Sequence, residues 1–102
     1  MHVYHNTYSG KTVLAVQFHD DQQYADIAMR LEDQEFPYYA DVAVGMTRGE
    51  MHFKIWSETG HDLSYKATKG DYVVLYETPS GIVLPMVYSE DEFNRVFERV
   101  GF

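Results

Sequence analysis

Cysteine is absent from this 102-residue chain, proline occurs three times and tryptophan once. Without cysteine there is no disulfide framework, no thiolate metal site and no cysteine nucleophile, and a reducing cytoplasm is the expected setting. Long apolar runs are missing as well. No stretch approaches the ~20 residues of a membrane-spanning helix, so no membrane partner is expected. The opening Met1-His2-Val3-Tyr4-His5 lacks the basic-then-apolar layout of an export signal. Positive charge is scarce: eight Lys and Arg face sixteen Asp and Glu, a formal net charge of -8. Such a field repels nucleic-acid phosphates and anionic lipid, and it attracts a basic protein surface.

What remains is enough for a core. Hydrophobic residues make up 45% of the chain, which excludes general disorder, and the length suits one domain spanning residues 1–102. Residues 2–8 read as a strand, joined through Ser9-Gly10-Lys11 to residues 12–18 (TVLAVQF). That second strand is apolar on both faces, the mark of a central strand covered on each side. Asp20 and Gln23 form a capping box for a helix with Tyr24, Ile27, Ala28 and Leu31 in one stripe, closed by Phe36-Pro37. Strands follow at 40–46, 50–56, 61–68, 71–77 and 82–88, separated by short turns. In 61–68 the alternation turns Leu63, Tyr65 and Ala67 inward. Pro85 lacks a ladder donor and places the last of these strands at an edge or a bulge. Ser89-Glu90-Asp91-Glu92 then caps a helix carrying Phe93, Val96, Phe97 and Val100, which Gly101 stops. The expected fold is α+β: a curved antiparallel meander of five to seven strands paired in sequence order, both helices on one side.

Groupings that carry chemistry are hard to find. His2 and His5, three apart on a strand, face opposite ways, and the His19-Asp20 and His61-Asp62 dipeptides lack further ligands. There is no G-x-S-x-G elbow and no glycine cluster ahead of a helix. No enzyme activity, metal or cofactor is expected. The acids divide into two kinds. Asp20-Asp21 and Glu90-Asp91-Glu92 begin helices, where the macrodipole favours them. Glu32-Asp33-Gln34-Glu35 sits at a helix C-terminus, where negative charge costs a few tenths to ~1 kcal/mol. With Asp21 and Asp26, this run makes an acidic ridge suited to a basic protein groove, with Tyr38, Tyr39 and Trp56 as aromatic anchors.

Residues 13–18 (VLAVQF), 69–74 (KGDYVV) and 88–98 (YSEDEFNRVFE), in this order, resemble a family of small uncharacterised phage and prophage proteins. Those proteins open on an AVQF-like strand, continue through a G-D-Y/W strand and hairpin, and close on an E-x-F-x-x-x-F/Y-E helix. The likeness does not extend to residues 36–66. It implies an accessory protein of a mobile element, acting in the cytoplasm of a host bacterial cell. Small acidic phage proteins are often inhibitors of host machinery, so an anti-defence (for example anti-CRISPR) component is the implied role. One alternative is a protein that sequesters a nucleotide or similar ligand, which requires Arg30, Arg48, Lys54 and Lys66 to converge. Another is a structural phage component joined through an edge strand.

Overall fold

The two-faced strand expected at residues 12–18 is the middle of the molecule. In the computed structural model, which describes residues 1–34, 40–57, 62–79 and 81–101, it is β2 (Thr12–Gln17). Ahead of it lies β1 (His2–Asn6), and after it α1 (Asp21–Glu32). The chain continues through β3 (Ala40–Thr47), β4 (Glu50–Ser57), β5 (Leu63–Ala67), β6 (Tyr72–Glu77) and β7 (Val83–Tyr88). It closes with α2 (Glu90–Val96) and β8 (Phe97–Arg99). The fold is α+β and mostly sheet: an antiparallel five-stranded sheet ordered β7-β6-β2-β1-β8 and a three-stranded one ordered β3-β4-β5.

Hairpin neighbours pair in sequence order, but β2 takes β6 as its second partner and β1 takes β8. The physical reason lies in composition. A strand apolar on both faces gains most beside another of its kind, and β6 (YVVLYE), buried through Val73, Val74 and Leu75, is that strand. Alternate residues then serve different cores. Val73 and Leu75 join Phe18, Ile27, Leu31, Val42, Met51 and Phe53 on one side. Ala15 and Val74 join Phe93 and Phe97 on the other. The two helices therefore cover opposite faces of the five-stranded sheet, which overturns the expectation that they share one side. The layers run α2, five-stranded sheet, then α1 with the three-stranded sheet.

Local signals explain most element boundaries. Asp20 Oδ1 accepts from Gln22 N at 2.9 Å and Gln23 Oε1 from Asp20 N at 2.8 Å, completing the predicted box at α1. Asn6 Oδ1 accepts from Tyr8 N at 2.8 Å and Ser9 N at 3.1 Å, so this polar residue builds the β1–β2 turn. One helix, α2, is shorter than its apolar stripe suggests. α1 ends at Glu32, ahead of Pro37, and α2 ends at Val96. Past Val96 the chain turns extended at Phe97 (φ -118°, ψ 144°), because β1 offers a free edge that takes Phe97–Arg99 as a strand. Val100 is consequently 44% exposed, and Leu63, expected inward, is 58% exposed near the start of β5.

Strand β7 lies at a sheet edge, as Pro85 requires, and the Val83–Pro85 part of that edge is covered. The Gln34 amide donates to Val83 O at 2.7 Å and to Leu31 O at 2.9 Å, and accepts from Val83 N at 2.8 Å. Two residues on, Pro85 has no N–H, and its carbonyl accepts from the Tyr65 hydroxyl of β5. Outward-facing backbone groups of Val83 and Pro85 are thus paired or missing, which shortens the template that an open edge presents. Burial, and then the neighbouring Tyr76, push the Tyr65 phenol up to about 12.

Candidate functional site

Helix α1 turns Ile27 and Leu31 inward and its acids outward. Tyr24 sits at the side of that buried stripe, its hydroxyl donating to Val44 O at 3.3 Å. On the outer side Asp26 accepts from Arg30 Nε at 3.0 Å, while Glu32 and Asp33 stand exposed. Asp33 is the C-cap, its N–H donating to Met29 O at 3.1 Å. Negative charge therefore does sit at the unfavourable end of the dipole, and Arg30 is engaged one turn back. The Asp21 side chain, Glu35, Tyr38 and Tyr39 lie outside the described residues.

Pattern reading passed over one residue here. Met29 is 60% exposed, three positions after Asp26, three before Glu32 and four before Asp33, and so shares their helix face. It lies off the buried stripe, so a search for core periodicity has no use for it. The visible signal was an apolar side chain at an outward position. What α1 presents is an unbranched, polarisable knob with carboxylates around it.

Trp56 does not join that face. It is half-buried on the side of β4 opposite Met51, Phe53 and Ile55, which point into the core that α1 covers. Its ring instead meets the Lys54 ammonium, 5.1 Å from the centroid. Among the four cations whose convergence matters for an anionic ligand, Lys54 and Lys66 share this outer side of the three-stranded sheet. Arg48 lies in the β3–β4 turn (φ 53°), and Arg30 belongs to α1.

Comparison with protein-family models, curated proteins and solved structures finds no match for this chain. Function has to be argued from the surfaces themselves.

Hydroxyl–carboxylate pairs exist but are occupied. Ser89 Oγ donates to Glu92 Oε1 at 2.9 Å while accepting from Glu92 N at 3.2 Å, which is a helix cap. Thr68 Oγ1 donates to Asp71 Oδ2 at 3.1 Å within a turn that the same carboxylate holds through Thr68 N. Among the described residues no three His, Asp or Glu side chains gather as a metal set, and no helix is long and apolar enough to cross a membrane. The aromatic excess is largely structural. Phe93 stacks on Tyr72 at 3.9 Å between centroids and on Phe97 at 4.9 Å, with Tyr4 and Tyr88 edge-on to the pair. Burial is the first cause raising the Tyr72 phenol above its usual range, with Tyr4 and Glu90 adding to it.

Proposed function

We propose that this protein works by docking, without catalysis, through the outer face of α1 against a basic surface of a partner protein. The observation that carries the reading is Met29, 60% exposed amid Asp26, Glu32 and Asp33. An apolar anchor inside a charged rim is the arrangement that gives interfaces their affinity and their steering, and methionine adapts its shape to the surface it meets. A net charge of -8 adds long-range attraction to a basic partner. The likeness to phage proteins extends the proposal: the partner is a host protein whose basic groove otherwise receives nucleic acid, as in a nucleic-acid-targeting defence component, and occupancy inhibits it.

The test is affinity capture from the host with mass spectrometry, run side by side for wild type and three variants. A partner held by wild type is expected to elute as salt rises. It is expected to be lost with Met29→Glu and with Glu32→Lys, Asp33→Lys and Glu35→Lys combined, and kept with Glu98→Lys on β8. A partner retained by both α1 variants would remove the helix face from consideration.

A further inference from the structure

We propose that Met29 is the site at which a peroxide modifies this chain and, resting on the docking reading of α1, that its sulfoxide prevents that docking. Sulfur chemistry here belongs to methionine alone, since cysteine is absent and methionine occurs five times. No thiol of the chain consumes an oxidant before the thioethers meet it. The five are not equally open. Met51 is fully buried, and Met1 and Met46 pack, partly buried, against the larger core. Met86 is 39% exposed on β7 and Met29 60% exposed on α1. Access selects these two.

Charge separates them. The thioether lone pair attacks one peroxide oxygen, so that an S–O bond forms as the O–O bond breaks. The sulfur gives up two electrons, and the second oxygen leaves as water with both hydrogens. Sulfur carries positive charge until the new oxygen has lost its proton. Nearby carboxylates stabilise that charge and an ammonium opposes it. Asp26, Glu32 and Asp33 lie three positions before, three after and four after Met29, and the last two stand exposed. Asp26 shares its charge with Arg30 at 3.0 Å. Met86 instead lines a hollow whose one charged residue is Lys11.

The product changes what α1 presents. A flexible apolar side chain becomes a polar one whose oxygen only accepts hydrogen bonds. Asp26, Glu32 and Asp33 accept as well, so none of them satisfies that oxygen. Where Met29 fills an apolar hollow of a partner, the sulfoxide is desolvated without a donor. Methionine sulfoxide reductases, one for each epimer, reverse the change.

The experiment treats the full chain with dilute hydrogen peroxide and follows each methionine by peptide mass spectrometry. One added oxygen is expected on Met29 first and on Met86 later, with Met51 unchanged while the fold lasts. Met86 reacting ahead of Met29 would overturn the site. Capture of the host partner is then compared for the untreated chain, the Met29 sulfoxide and Met29→Leu, which keeps an apolar anchor. The sulfoxide is expected to bind roughly tenfold weaker, the cost of burying one polar group unpaired, and reductase treatment to restore capture. Met29→Leu is expected to bind alike before and after peroxide. Equal capture by untreated and oxidised wild type would overturn the switch and leave docking standing. So would loss of capture by peroxide-treated Met29→Leu. An untreated chain that captures nothing would overturn docking and switch together, whereas the order of the methionines is read without any partner.

Discussion

Tyr65 and Gln34 show how single side chains hold this fold together across its layers. Tyr65 belongs to the three-stranded sheet, yet its hydroxyl satisfies the Pro85 carbonyl at the edge of the five-stranded one. Its phenol is raised to about 12, with burial as the first cause. The sign follows from which form the fold prefers. The neutral phenol is favoured, so its contribution is complete below the unfolded value near 10 and is lost as pH rises through about 12. An alkaline titration followed by tyrosinate absorbance is expected to show a late-ionising tyrosine that Tyr65→Phe removes. The same variant leaves the Pro85 carbonyl without its donor and is expected to lower stability by roughly 1–2 kcal/mol in urea unfolding. Neither contact was legible in the sequence. A glutamine after a helix and a tyrosine in an alternating strand have many uses, and only the tertiary arrangement selects these. Met29 was equally hidden, whereas Glu32 and Asp33 were visible because charge at a helix end is a local property, and Asp26 because it falls off the apolar stripe.

Elements with local causes were the legible ones. Both capping boxes stand where the sequence puts them, since Asp20–Gln23 and Ser89–Glu92 each complete a contact within one turn. At α2 the Ser89 hydroxyl, followed by the Ser89 backbone N–H, holds the Glu92 carboxyl below its usual range. A depressed carboxyl contributes above its unfolded value near 4.5, and that contribution disappears as pH falls through the lower folded value. Ser89→Ala is expected to cost about 1 kcal/mol at neutral pH, seen as a drop of roughly 4–8 °C in Tm. The gap between variant and wild type should narrow in acid, which thermal scans at a series of pH values would check. Partner choice among strands was less legible. The union of β2 with β6 spans α1 and the whole three-stranded sheet, and no turn signal encodes it. The end of α2 departs from its pattern for a related reason: the stripe continues through Phe97, but an open strand at the other end of the chain claims that residue.

At the scale of the molecule, β2 and β6 tie two cores into one unit. Ala15 and Val74 face α2, while Val73 and Leu75 face α1 and the three-stranded sheet, so neither core survives without the same two strands. Unfolding is therefore expected in a single transition. Trp56 emission from one layer and far-UV circular dichroism from the whole chain should give the same midpoint in urea, and separated midpoints would show that the layers melt independently. The covered part of the β7 edge bears on how the chain is made. Its two caps, Gln34 and Tyr65, precede the strand they protect, and synthesis runs from the N-terminus. By the time Val83 and Pro85 leave the ribosome, the groups that will cover them are already outside. A strand that emerges after the side chains that cover it waits only for its own pairing with β6, and not for further synthesis, before its edge is covered.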